Sequence, residues 1–303
     1  MAERLRSAVP GLQVAIEIIR TSAEKFPEEE PQAVGVGMFT REIDEELVAG
    51  RVDLAVHSLK DIPSQLPPEL TIAAVPEREV PFDAFVGTRS GPDRPALWDL
   101  PEGSAVGTGS PRRKAQLLHR RPDLKIVPLR GNVETRIRKA REGSLAGIIL
   151  AQAGLRRLGR EELITHTLPS EWMVPAVGQG ALAVTARADR RDMVSLAAGL
   201  EHARSRVRVT AERAFLATLR GGCQVPAGAL AEVQEAPGSP PVLWIIGVVA
   251  SHDGEKCVRG VLSGPVERAE EIGRQLAEDL LGRGGREVLE GVRGGEGSGG
   301  PRT

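Results

Sequence analysis

Ala105-Val106-Gly107-Thr108-Gly109-Ser110-Pro111-Arg112-Arg113 passes within one short stretch from an apolar run to a helical pattern. Ser110 is a natural N-cap, and Pro111 falls in the first helical turn, where a missing N–H is harmless. A strand that ends in a glycine-rich turn and hands over directly to a helix is the repeating unit of an α/β chain. Outward from this stretch the alternation continues. Strands are predicted over Leu12–Ile19, Val52–Leu59, Thr71–Val75, Ala84–Thr88, Ala105–Thr108, Lys125–Leu129, Gly147–Ala151 and Ala181–Ala186. Helices are predicted over Met38–Val48, Arg112–Arg121, Val133–Arg141 and Gln152–Leu158. That order predicts mainly parallel sheets, with functional groups where strands end and helices begin.

After about residue 202 the pattern changes. A long helical stretch from His202 to Leu219 stops at Gly221-Gly222, strand-like segments follow near 227–234, 242–251 and 256–262, and a helix from Val266 to Leu281 closes the folded part. This order predicts a small α+β domain with antiparallel strands. The stretch from Gly294 to Thr303 is Gly-rich and polar and reads as a disordered tail.

A chain of 303 residues is long enough for two or three cores. Lys+Arg 40 against Asp+Glu 41 leave a net charge of -1, which argues against wholesale binding of nucleic acid or an anionic membrane surface. The basic residues are mostly Arg, whose planar fork suits carboxylate or phosphate. No signal peptide or membrane-spanning run is legible, so a soluble, intracellular protein is expected. The two cysteines, Cys223 and Cys257, fit neither a disulfide framework nor a zinc site.

Three features carry chemistry. The strand Val52–Leu59 delivers Lys60-Asp61 to its end, and Ile62-Pro63 blocks continuation, so a carboxylate is presented beside a cation at a sheet edge, or simply sits in a solvated turn. His57, inside the strand, reads as a hydrogen-bonded structural histidine. Arg clusters recur at strand ends: Arg112-Arg113 after Ser110, Arg130 and Arg136 around the Asn132 cap, and Arg156-Arg157 after Gly147–Ala151. One such cluster is as readily a solvated face as a site; three at equivalent places argue for a polyanionic ligand, and their spacing excludes a Walker loop or a dinucleotide fingerprint. Finally, Gly221-Gly222 opens the chain beside Cys223. Free cysteines are usually buried, so the residues alone favour an inert thiol there, and Cys257 within a strand pattern reads as inert.

Taken together, Ala55-Val56-His57-Ser58-Leu59-Lys60-Asp61, Gly107–Arg113, Leu129–Asn132, Pro175-Ala176-Val177-Gly178-Gln179-Gly180 and Gly221-Gly222-Cys223-Gln224-Val225-Pro226 resemble the porphobilinogen deaminase family in order, spacing and identity, over about residues 1 to 290. The resemblance implies two periplasmic-binding-protein-like α/β domains with mainly parallel sheets, residues 1–78 with 181–199 and residues 82–175. A third, α+β domain with a three-stranded antiparallel sheet would cover 202–293, and a disordered tail 294–303. It implies a transferase that condenses four porphobilinogen molecules into hydroxymethylbilane, releasing ammonia, in tetrapyrrole (haem) biosynthesis. The cofactor would be a dipyrromethane held by Cys223 through a thioether. Asp61 would be the catalytic carboxylate; Ser58, Lys60, Thr108, Ser110, Arg112, Arg113, Arg130, Gly131, Arg136 and Gln179 would bind the cofactor, and Arg157 and Phe39 the substrate, with no metal. The enzyme would be cytoplasmic and monomeric, without nucleic-acid or membrane partners.

Three departures stand out. The chain begins within the helix that follows the family's first strand, Val36 stands where a Lys is usual, and Pro111 stands where a Leu is usual. The alternatives are a non-catalytic anion-binding protein of the same architecture, or an inactive truncated form.

Overall fold

A computed structural model describes residues 1–19, 21, 40–88, 95–220 and 225–295. The first sheet holds β1 (Ala55–Ser58), β2 (Leu70–Ala74) and β8 (Leu182–Arg187) in the order β1-β8-β2. Helices α1 (Ala2–Ala8) and α2 (Arg41–Val48) precede it. The second sheet runs β5-β4-β6-β3-β7. Its members are β3 (Asp83–Gly87), β4 (Ala105–Gly107), β5 (Lys125–Val127), β6 (Gly147–Ala151) and β7 (His166–Leu168), with α3 (Pro111–Arg120), α4 (Val133–Glu142) and α5 (Gln152–Arg157) between them. Helix α6 (Arg191–Ala198) leads to α7 (Ala203–Thr218). The third sheet is the antiparallel β11-β10-β9, built from β9 (Ala227–Gln234), β10 (Val242–Ala250) and β11 (Cys257–Pro265). Helices α8 (Ala269–Leu280) and α9 (Arg286–Gly295) end the described chain.

Strand periodicity decides the second core. Phe85, Val106 and Ile149 pack with Leu117 of α3 on one face. Ala84, Val86, Ile148 and Leu150 pack with Ile137 and Leu155 on the other. Alternate side chains thus go to opposite faces, each covered by helix. The caps foreseen in the sequence form: Ser110 accepts from Arg113 N–H and Asn132 from Thr135 N–H.

The strand directions depart from the expectation of mainly parallel sheets. Both described ladders of the first sheet, β1 with β8 and β2 with β8, are antiparallel. In the second sheet β4 is parallel to β5 and β6, whereas β3 is antiparallel to β6 and β7. The reason is that β3 and β8 are the strands that arrive from the other lobe, and a strand entering this way is not bound to the parallel βαβ geometry.

Other expectations also need correction. Leu12–Ile19 makes no ladder among the described residues. Leu12 and Val14 rest on a cluster with Leu5 and Ala74, while Ile16 and Ile18 are exposed, so the apolar face outruns the core beneath it. The strand expected over Val52–Leu59 shortens to Ala55–Ser58 because the chain winds into a 3₁₀ turn at Leu59–Asp61. Of the helix expected over Met38–Val48, the described part starts at Arg41. Gly294 and Gly295, assigned to a disordered tail, belong to α9, whose Val288 and Leu289 reach the third core. The remainder of that tail, 296–303, lies outside the described residues. No helix among the described residues is long and apolar enough to cross a membrane.

Both crossings between the first two sheets and one strand of the third meet at one buried ion pair. Arg78, on the first crossing between lobes, gives Nη1 to Glu212 Oε1 of α7 at 2.6 Å, and both side chains are almost wholly buried. Glu212 also accepts from Gly178 N–H of the second crossing and from Ala231 N–H of β9, at 2.7 and 2.8 Å. Arg78 Nε donates to Gln179 O, and its own N–H donates to Ser205 Oγ. Gly178 and Gly180 adopt φ of +71° and +85°; a Cβ on Gly178 would meet Leu59 Cδ2 at 2.1 Å, and one on Gly180 would meet Glu79 O at 2.3 Å.

Removing one partner of such a pair strands the other charge in the interior. Glu212→Ala is expected to lower unfolding stability by about 3–5 kcal/mol in denaturant titrations, and adding Arg78→Ala to it should cost little more. His57 is buried in β1 with Nε2 at 3.2 Å from Thr185 Oγ1, and burial pushes its pKa down to about 4. The folded chain therefore keeps the imidazole neutral. Its contribution is whole above pH 6.5, shrinks as pH falls from 6.5 to about 4, and is lost below that. Unfolding titrations across this window should lose about 3 kcal/mol that a His57→Gln variant does not lose.

Candidate active site

The carboxylate turn is built from an alternation of anchors and chemistry. Leu59 and Ile62 are 1% and 5% exposed and pack into the first core, with Leu59 N–H donating to Ala181 O. Lys60 and Asp61 lie between these anchors, in a turn that Gly178 roofs closely enough to exclude any side chain at that position. Pro63 then prevents the turn from growing into a helix. Burial raises the Asp61 pKa, against the pull of Lys60 and Arg136. Burial lowers that of Lys60, opposed chiefly by Asp61. Ser58 is half-buried at the end of β1, opposite Leu182 of β8.

Facing it in the electrostatic sense is a triad that sequence reading did not foresee. Asp83, the first residue of β3, is fully buried. Arg112 Nη1 donates to Asp83 Oδ2 and to Val174 O, at 2.7 and 2.8 Å. Arg113 Nε donates to Asp83 Oδ1 at 2.9 Å and its Nη1 to Ile149 O. Gln179 Nε2 adds a bond to Asp83 Oδ1 at 3.0 Å and another to Pro81 O. Burial alone would raise the Asp83 pKa, but the two guanidiniums outweigh it and hold the carboxyl well below the usual range. Arg112 and Arg113 are thus engaged by an internal carboxylate, which corrects the expectation of two forks left for a ligand. The amides of the turn are engaged as well: Thr108 N–H donates to Val127 O and Ser110 N–H to Thr108 Oγ1. Their hydroxyls, not their amides, are the groups this turn offers.

Arg136 of α4 completes the cluster. It is half-buried, its Nε is buried without a hydrogen-bond partner among the described residues, and burial lowers its pKa against the attraction of Asp61. Gln179 Oε1 is likewise buried without a partner. Arg130 is half-buried, and Gly131 adopts φ of +111° where a Cβ would also meet Thr135 Cγ2 at 2.7 Å. Arg157 donates from Nη2 to Gly180 O. Phe39 and Cys223 lie outside the described residues, as do Gly35-Val36-Gly37-Met38 and Gln224. Cys257 is a half-buried thiol whose pKa burial raises, as expected of an inert cysteine.

Lys60, Arg112, Arg113 and Arg136 act on one another and on Asp61 and Asp83, so four cationic groups face two carboxylates. Among the described residues, a surplus of two positive charges, a buried N–H without a partner and a recessed carboxylate suit a ligand rich in carboxylates that also carries N–H donors. A dipyrromethane, with acetate and propionate arms on N–H-bearing rings, matches that donor and charge set.

Asp83, Arg78 and Glu212 escaped sequence reading. Asp83 directly precedes Ala84-Phe85-Val86. A charge heading an apolar strand was the available signal. Glu212 looks like any polar residue of a helix face.

The sequence model described as "Porphobilinogen deaminase, dipyromethane cofactor binding domain" matches residues 1–195, and "Porphobilinogen deaminase, C-terminal domain" matches 206–282. Curated relatives named porphobilinogen deaminase include those of Syntrophomonas wolfei, 47% identical over 95% of this chain and 92% of that one, and of Roseiflexus sp., 46% identical over the same shares. The Syntrophus aciditrophicus relative is 46% identical over 98% of this chain and 94% of its own. This chain belongs to the porphobilinogen deaminase family.

Proposed function

We propose that this transferase condenses four porphobilinogen molecules head to tail into hydroxymethylbilane, with Asp61 as the catalytic carboxylate and Cys223 as the thioether anchor of a dipyrromethane. The observation that carries the reading is a recessed Asp61 under the charges of Lys60 and Arg136, which in turn feel Arg113 on its Asp83 anchor. A non-catalytic binding protein is disfavoured by similarity to porphobilinogen deaminases over nearly the whole chain. The three sheets support units of 1–78 with 181–199, 82–175 and 202–293, which contribute the carboxylate, the arginines and the anchoring cysteine respectively.

When bound, the dipyrromethane supplies the nucleophilic pyrrole carbon to which incoming rings are joined. The residues do the rest. In each condensation the aminomethyl C–N bond of a substrate would break, ammonia would leave, a C–C bond would form and the attacking ring carbon would lose its proton; water would finally cleave the four-ring product from the cofactor and supply its hydroxyl. Positive charge develops on ring nitrogens on the way. Asp61 accepts their N–H bonds, and its burial makes that stabilisation stronger than it would be in water. Its raised pKa also suits it to hand a proton to the departing amine and to take one back. Arg130, Arg136 and Lys60 pair with ring carboxylates, while Arg112 and Arg113, both held on Asp83, add fixed positive charge behind them. Ser58, Thr108 and Ser110 contribute hydroxyls, Gly131 allows close backbone approach, and Gln179 offers its amide oxygen to a ring N–H. Arg157 and Phe39 are assigned to the incoming substrate.

The chain should carry a mass excess of two pyrrole units and give the Ehrlich colour reaction for dipyrroles; Cys223→Ser should give neither, and a wild-type chain without either signal would overturn the anchor. Asp61→Ala should keep the cofactor and lose turnover by about 10² or more. The acid limb of the wild-type rate profile should lie above the pH expected of a carboxylate titrating at 3.8, because burial raises the Asp61 pKa.

A further inference from the structure

Arg213 takes no part in the site described above, yet it holds the backbone two and three residues after Asp61. It follows Glu212 directly on α7, and its Nη2 donates to both Pro63 O and Ser64 O at 3.0 Å. Successive side chains on a helix diverge by about 100°, so α7 grips two different pieces of backbone with neighbouring residues. Glu212 holds Gly178, which roofs Leu59, and Arg213 holds the chain just beyond Asp61. The turn Leu59–Asp61 is therefore fixed from both sides by one helix of the third unit.

The need for an outside donor follows from the sequence. Pro63 has no N–H and keeps the chain from continuing as a helix, so its carbonyl and that of Ser64 have no helical partner downstream. Arg213 is half-buried, burial lowers its pKa, and the charged neighbour acting on it is another cation, Arg206. A guanidinium held beside a like charge against two carbonyls is oriented by the backbone it binds rather than by a counter-ion.

We infer that Arg213 is a positioning residue that holds the backbone after Asp61 and so sets the height of the catalytic carboxylate in the cleft. The inference rests on the assignment of Asp61 above. Its chemical logic is geometric: a displacement of about 1 Å at a reacting group can cost 10²-fold in rate, while substrate affinity, set by the arginines, stays.

Arg213→Met keeps the aliphatic contacts and removes the donors; Arg213→Lys restores a donor. The expected result for Arg213→Met is a fall in kcat of about tenfold or more with KM for porphobilinogen within about twofold, an unchanged two-pyrrole mass excess, and recovery of most of the loss in Arg213→Lys. On the cofactor-free Cys223→Ser background, amide exchange across 59–66 should speed up about tenfold in Arg213→Met. Unchanged kcat and unchanged exchange overturn the inference, as does a loss of thermal stability alone. A fall in kcat that tracks loss of the mass excess overturns it too, because Arg213 would then serve cofactor loading. Asp61→Ala run alongside separates the two readings: full turnover in that variant sinks the assignment of Asp61, whereas an inactive Asp61→Ala beside a fully active Arg213→Met sinks only the role of Arg213.

Discussion

A single carboxylate, Glu212, ties together both interlobe crossings and the third sheet. It takes Arg78 from the first crossing, the Gly178 amide from the second and the Ala231 amide from β9. None of these partners is near another in sequence. A charge without counter-charge at this depth would be strongly unfavourable, so the three units can reach their arrangement only together. The arrangement then determines where Asp61 lies, since the same crossing that meets Glu212 also covers the carboxylate turn.

The site repeats this economy on a smaller scale. Asp83 organises Arg112, Arg113 and Gln179 much as Glu212 organises the crossings. Two arginines over one carboxylate leave a net positive charge whose position is fixed before any ligand arrives, which is the condition for strong electrostatic stabilisation in a dry cleft. Arg136 adds a charge whose Nε finds no hydrogen-bond partner among the described residues. Fixed charge and incomplete bonding in one cleft distinguish this cluster from the exposed pairs of Arg156 or Arg190 with nearby carboxylates.

What could be read in advance followed from local rules. The Ser110 and Asn132 caps, the helix after each, the structural His57 and the antiparallel third sheet all depend on neighbours in sequence or on simple periodicity. The misreadings came from non-local causes. Leu12–Ile19 has the alternation of a strand, yet alternation specifies a face and not a partner. Strand direction in the first sheet depends on β8 returning from the other lobe, which no local pattern records. Arg112 and Arg113 were legible as a cluster, but whether a guanidinium meets a ligand or an internal acid is decided by Asp83, far from it in sequence.

Gly178 carries one more implication. The bare backbone there is seated on the Leu59 side chain, so the second crossing and the carboxylate turn are packed as one piece. Variation that resizes the space around the carboxylate therefore has to work through residues other than Gly178 and Leu59, whose contact leaves no room for change.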